Sequence, residues 1–183
     1  MSLPAHTPTG AQISLEDMLQ RRDARVATQR TLLARLNRPL VQLTLVNPGP
    51  VKDTAQACFI FEQGLVAMNQ ALVCAGQGVL AFEQGYFITG PEALWAVDGA
   101  ALEIKRAAMA LEDQHRLGRL WDLDVIDRDG RSISRQQLDA PVRRCLVCDQ
   151  AAHACARSAR HALDQLQGAI KDIVDAYRHS FAV

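Results

Sequence analysis

Residues 119–126, Arg-Leu-Trp-Asp-Leu-Asp-Val-Ile, constrain this chain more than any other stretch. Apolar and acidic side chains alternate there, and a period of two is the mark of a β-strand. As a strand, it puts Asp122 and Asp124 on one face and Leu123 and Val125 on the other. Asp127-Arg128-Asp129-Gly130 follows as a hairpin-type turn, and residues 131–133 return. The chain must therefore build a sheet whose apolar face needs a cover and whose other face carries two neighbouring carboxylates. Two such charges repel unless something positive lies between them. Mg²⁺ suits that place, because it takes carboxylate oxygens and also binds substrate phosphates. A solvated edge strand fits the same letters, so other segments have to decide.

The remaining elements can be laid out in order. Ser14 and Asp17 form a capping-box-like start to a helix over residues 14–36, stopped by Pro39. Residues 40–46 are β-rich, and Asn47-Pro48-Gly49-Pro50 is a turn. A long, mostly apolar helix runs over 52–74. Short strands are expected at 79–82 and 86–89 around a Glu83-Gln84-Gly85 turn, with residues 94–97 continuing extended. Asp98 or Gly99 is expected to cap a helix over 100–115. Ser134 caps a short turn, residues 143–160 read as irregular, and an amphipathic helix over 160–179 carries Leu163, Leu166, Ile170, Ile173, Val174, Tyr177 and Phe181 at spacings of three and four. The expected class is α+β: a mixed or antiparallel sheet with flanking helices and a long C-terminal helix. At 183 residues one domain is expected over 1–183, with a loose N-terminus at 1–12 and a Cys/Arg-rich segment at 143–161.

Charge argues against some partners. Twenty basic and 20 acidic residues cancel, which disfavours non-specific nucleic-acid binding. The distribution is uneven: residues 53–113 carry eight acidic and two basic side chains, whereas 1–38 carry six Arg against three acids and 135–161 five Arg against two. Two basic regions around an acidic middle suit an anionic substrate or an acidic protein partner, and equally suit solvated helix faces. Met1 to Gln12 lacks the pattern of a signal peptide. The uncharged stretch 63–82 holds Asn69, several Gln and three Gly, so a buried helix and turn is expected rather than a membrane span. A cytoplasmic location is expected, where five cysteines are thiols or metal ligands.

Three further constellations carry chemistry. Asn47-Pro-Gly-Pro-Val-Lys52 joins a strand to a helix, so helix-start N–H groups and the Lys52 ammonium can face an anion; a rigid connector is the plain alternative. Cys145-x₂-Cys148-x₆-Cys155-x₅-His161 has zinc-ligand composition, with His153 as a rival fourth ligand and metal-free reduced thiols as the alternative. Arg143, Arg144, Arg157 and Arg160 interleave with it and suit phosphate. His115, just before Gly118, is a candidate general base, or a helix-end residue favouring the dipole. Gly118 followed by the alternating acids also resembles the nucleotidyltransferase pattern, in which two strand carboxylates hold Mg²⁺ against a triphosphate.

The ordered set resembles one family, the holo-citrate lyase synthases, or apo-citrate lyase phosphoribosyl-dephospho-CoA transferases. The matching stretches are Arg22-Asp-x-Arg25 with Gln29, Pro48-Gly-Pro-x-Lys52, Thr89-Gly-Pro-Glu92, Leu117-Gly-Arg-Leu-Trp-Asp-Leu-Asp-Val125, Ser134-Arg135, Arg143-Arg-Cys-Leu-x-Cys148, Cys155-Ala-Arg157 and His161. One spot departs: the family commonly has His-Pro-Leu-Gly where this chain has His115-Arg116-Leu117-Gly118. The resemblance implies an enzyme of nucleotidyl-transfer type. It takes 2′-(5″-triphosphoribosyl)-3′-dephospho-CoA, joins the phosphoribosyl-dephospho-CoA unit to a serine of the citrate lyase acyl carrier subunit, and releases pyrophosphate. It implies Mg²⁺ on Asp122 and Asp124, with Arg119, Lys52, Arg22, Arg25, Arg143, Arg144 and Arg157 on phosphates. An aspartate or His115 takes the serine proton. Zinc on Cys145, Cys148, Cys155 and His161 remains a reading of the residues alone. Two other functions stand beside this one: the equivalent transfer to a malonate decarboxylase carrier, and a zinc-stabilised module that binds a carrier without chemistry. The Cys-rich segment favours the citrate lyase member.

Overall fold

The computed structural model describes residues 6–180. Five helices and four strands follow one another: α1 (Leu15–Leu36), β1 (Leu40–Leu45), α2 (Ala55–Cys74), β2 (Gly78–Gly85), β3 (Glu92–Asp98), α3 (Ala101–Gln114), β4 (Trp121–Ile126), α4 (Ala152–Arg157) and α5 (Leu163–His179). The class is α+β, and the sheet is antiparallel throughout, in the order β2-β3-β1-β4.

The sheet's two faces are covered differently. On one, Val41, Leu43, Trp95, Val97, Trp121, Leu123 and Val125 meet Phe61, Met68 and Leu72 of α2, Ile104 of α3, and Ile170 and Val174 of α5. Its two tryptophans keep their ring N–H groups satisfied: Trp121 donates to the Ile60 carbonyl and Trp95 to Asn69 Oδ1, both at 2.9 Å. Helix α2 is long and apolar enough to span a membrane by length and composition, and here eight of its residues are buried. On the other face, only the C-terminal half of α1 packs as a core, through Leu32 against Leu40, Leu94, Ala96 and Ile126. The N-terminal half of α1 lies over polar side chains instead. That division makes room for a site.

Local chemistry sets the element ends. The capping box at Ser14 forms as its sequence predicts, with Asp17 reaching back to the Ser14 N–H at 2.8 Å. Thr54 caps α2 by accepting from the Ala57 N–H at 3.1 Å. Gly118 begins the tight turn into β4, and a Cβ there would lie 2.1 Å from the Leu111 carbonyl oxygen, so only glycine lets that turn approach α3. Four expectations are corrected. β2 runs unbroken through Glu83-Gln84-Gly85 to pair Gly85 with Glu92, and the turn falls at 86–91 instead. As an edge strand with mostly exposed side chains, β2 needs little apolar patterning, and its pairing with β3 carries it. Ala100, not Asp98 or Gly99, stands at the start of α3. A short helix, α4, interrupts the segment read as irregular, and α5 starts at Leu163 rather than at 160. Phe181, expected on the apolar side of the last helix, lies outside the described residues.

Of the N-terminal segment, residues 6–13 have no regular structure but are fastened. The buried Asp53 carboxylate accepts from the Thr9 N–H at 2.9 Å and from its hydroxyl at 3.1 Å, and His6 Nε2 lies 2.7 Å from it. Residues 1–5 lie outside the described residues.

Candidate functional site

β1 and β4 pair so that Thr44 stands opposite Asp122 and Gln42 opposite Asp124. All four side chains therefore share the face beneath the N-terminal half of α1. Gln42 is buried, donating to the Ala93 carbonyl at 2.9 Å and accepting from Gln29 of α1 at 3.2 Å. Asp124 is exposed and Asp122 partly so. Arg143 holds Asp122, with Nη1 at 3.0 Å from Oδ1, and its Nη2 donates to the Trp121 carbonyl at 2.7 Å. Burial raises the Asp122 carboxyl above its ordinary range and the neighbouring Asp124 charge adds to this; Arg143, Lys105 and Arg25 pull it back.

Beside the acids lies a cationic hollow. Arg21, Arg25, Thr44, Asn47, Lys52, Thr89 and Glu92 line it. The i, i+4 spacing of Arg21 and Arg25 brings both onto the nearly buried Glu92, through Arg21 Nε at 2.9 Å and Arg25 Nη1 at 3.0 Å. Lys52 donates to the Asn47 carbonyl, and burial pushes its ammonium down from the ordinary lysine range. The buried hydroxyl of Thr89 has no hydrogen-bond partner among the described residues. An orphan hydroxyl among three cations is what a bound phosphate would satisfy.

β4 is an edge strand, and side chains complete its outer edge. Glu112 of α3 accepts the Leu123 N–H at 2.8 Å, Lys105 of α3 donates to the Leu123 carbonyl at 3.0 Å, and Ile133 N–H donates to the Val125 carbonyl at 2.8 Å. Arg135 closes onto Glu112 at 2.6 Å and Asp113 at 2.9 Å. The acid pair thus sits on a strand fixed along both sides.

The cysteine segment forms one cluster. The ligand atoms of Cys145, Cys148, Cys155 and His161 all lie within 4.8 Å of one another, with Cys148 Sγ 3.6 Å from Cys155 Sγ and 3.2 Å from His161 Nε2. Tetrahedral zinc with Zn–S near 2.3 Å sets ligand–ligand edges of about 3.8 Å, so this donor set fits the ion. Burial raises the Cys145 thiol, but the Val147 and Cys148 N–H groups and the neighbouring thiols outweigh it and lower its pKa; burial and those neighbours push Cys155 up to about 11. His153 is exposed and stands outside the cluster. Arg119 Nη2 fastens the knuckle to the start of β4, donating to the Cys145 carbonyl at 2.7 Å and to that of Arg144.

The sequence-predicted residues thus divide. Asp122, Asp124, Arg25 and Lys52 come together, with Arg143 binding Asp122. Arg119 holds the knuckle, and Arg144 is largely exposed with Asp149 at 3.6 Å. Arg22 and Arg157 are exposed on α1 and α4. His115 stands on the other face of the sheet, its ring 4.5 Å from that of Trp121 and its Nδ1 accepting the Leu117 N–H at 3.0 Å. Burial lowers its pKa and so favours the neutral ring. Sequence reasoning missed Arg21, Thr44, Lys105 and Glu112 as parts of the site. Lys105 and Glu112, seven residues apart in an apolar helix stripe, were the readable signal.

Residues 13–177 match the family model for apo-citrate lyase phosphoribosyl-dephospho-CoA transferase. Among curated proteins, the chain is 40% identical over 166 residues to one so named from Citrobacter koseri, covering 91% of each. It is 40% identical over 156 residues to those of Shigella boydii and Escherichia coli O157:H7, covering 84% of each.

Proposed function

Because the chain belongs to the apo-citrate lyase phosphoribosyl-dephospho-CoA transferase family, we propose that it moves the phosphoribosyl-dephospho-CoA unit from 2′-(5″-triphosphoribosyl)-3′-dephospho-CoA onto a serine of the apo citrate lyase acyl carrier subunit. Pyrophosphate leaves, as in nucleotidyl transfer. The observation that carries this reading is the acid pair on β4 facing a hollow with three cations and an orphan hydroxyl.

Each residue has work in that reaction. Arg21, Arg25, Lys52 and the Thr89 hydroxyl receive the triphosphate, and the two arginines are aimed beforehand by Glu92, so little freedom is lost when phosphate arrives. Asp122 and Asp124 fit Mg²⁺: they are hard oxygen donors on one strand face, and burial, with the Asp124 charge adding to it, raises Asp122, which a cation would relieve. Bound there, Mg²⁺ supplies charge neutralisation for the pyrophosphate leaving group. Arg143 orients Asp122. The nucleophile is the carrier's serine, so the chain itself needs none. Zinc is assigned to Cys145, Cys148, Cys155 and His161 as a structural ion, and a reducing cytoplasm suits those thiols.

Incubating the protein with the triphosphoribosyl donor, Mg²⁺ and the apo carrier subunit tests the function. The carrier's mass rises by one phosphoribosyl-dephospho-CoA unit. An unchanged carrier mass refutes the reading.

A further inference from the structure

The donor is far larger than its triphosphate, and the cationic hollow beside the acids is small. A second, larger cleft of about 640 Å³ lies on the other side of Arg143. Its walls come from four separate segments. The loop leaving β1 gives Val46 and Pro48, the cysteine knuckle gives Leu146, α4 gives Ala156, and the first turns of α5 give Leu163 and Leu166. The lining is mainly apolar, while Arg119, Arg143 and Arg144 stand in it from one side. A concave apolar site of this size with a few directed polar groups has the form of a small-molecule pocket.

The three arginines are not equivalent. Arg119 is committed to the knuckle carbonyls and Arg143 to Asp122 and the β4 backbone. Among the described residues the Arg144 side chain keeps only an exposed ion pair with Asp149, 3.6 Å long, which a bound anion displaces at little cost. Arg143 touches Asp122 and the cleft at once, so a molecule reacting at Asp122 and extending past Arg143 enters the cleft directly. Gly49 lets the loop close over the α5 end of this cleft: it has φ +95°, and a Cβ there would lie 3.1 Å from Leu163.

We propose that this cleft seats the dephospho-CoA part of the donor, with the adenine and pantetheine chain on the apolar walls and the diphosphate on Arg144. The inference rests on the transferase reading and extends it to the donor's other half. It follows that the protein recognises dephospho-CoA without the reacting triphosphoribosyl arm.

Titration calorimetry with dephospho-CoA as the probe tests this on the full chain. The wild type binds it. Ala156→Trp, an exposed position that fills the cleft, weakens binding at least tenfold with an unchanged melting temperature. Arg144→Gln weakens it severalfold and flattens its salt dependence. Should Ala156→Trp lower the melting temperature, Leu163→Glu on the opposite wall serves instead, and it too weakens binding tenfold. Equal affinity in a folded cleft variant and the wild type overturns the proposal. So does a wild type that modifies the carrier yet fails to bind dephospho-CoA, an outcome that leaves the transferase reading standing. Binding that the cleft variants abolish, in a protein that leaves the carrier unmodified, upholds the cleft and refutes the reaction instead.

Discussion

Glu112, buried in α3, accepts the backbone N–H of Leu123 at 2.8 Å, between the two aspartates of β4. Lys105 meets the carbonyl of the same residue at 3.0 Å. A helix thereby stands in for the missing neighbour of an edge strand, and it fixes the strand that carries the acids. Glu112→Ala leaves the Leu123 N–H unpaired and takes from Arg135 its buried partner, leaving it only the exposed Asp113. Breaking a buried charged network costs about 3–5 kcal/mol. The melting temperature therefore falls by roughly 10 °C for a chain of this size, read by circular dichroism.

Asp124→Asn separates chemistry from folding most cleanly. Asp124 is exposed, so its replacement changes stability by about 0.5 kcal/mol or less. Carrier modification at saturating donor drops by about 10²-fold or more, as expected for loss of a charge that matters in the transition state. A variant with wild-type turnover, followed by carrier mass, would show that the acid pair is not the metal edge.

Arg143→Gln moves the acid limb of the pH–rate profile. Asp122 must be ionised to accept a cation, and its carboxyl already lies above the ordinary range. Arg143 is a cause that lowers it, so removing Arg143 shifts the limb to higher pH. The stability sign is opposite to that of a salt-bridged carboxylate. The folded pKa is raised, so stability falls as pH climbs from the unfolded value of 3.8 through the folded one.

Cys148→Ser removes the sulfur that lies 3.6 Å from Cys155 Sγ and 3.2 Å from His161 Nε2. Purified wild type carries stoichiometric zinc by elemental analysis, and the variant loses it together with thermal stability. Folded, active wild type free of zinc after mild chelation would remove the structural ion from the account.

Gly118→Ala tests the turn into β4. The added methyl meets the Leu111 carbonyl oxygen at 2.1 Å, and both groups are backbone. Overpacking of this kind costs about 3 kcal/mol. Activity measured well below the lowered melting temperature falls as well, because the turn sets the start of the acid strand.

The sequence showed some of this and hid the rest for physical reasons. The alternation at Asp122 and Asp124 was legible because a strand with one buried face writes its period into the residues. Ser14 and Asp17 were legible because a capping box is a local bond. β2 was legible only over 79–82, since an exposed edge strand tolerates Glu83, Gln84 and Gly85 once β3 supplies the pairing. Arg22 entered through the resemblance; Arg21, its neighbour, shares the sheet-facing side with Arg25 and finds Glu92, 71 residues away. His115 was plausible by proximity in sequence, but the turn at Gly118 leaves it across the sheet from the acids. Lys105 and Glu112 were legible as charges inside an apolar helix stripe, but their work became clear only when β4 proved to be an edge.

β2 is the sheet's other margin, and among the described residues it has no such escort. Val79, Leu80 and Phe82 are each between 43% and 50% exposed. Whereas β4 offers an incoming strand no free register, β2 presents open backbone groups beside apolar side chains. Self-association at high concentration or after partial unfolding therefore starts at that margin, far from the acids, and a lysine at Leu80 is the simplest way to improve handling without touching turnover.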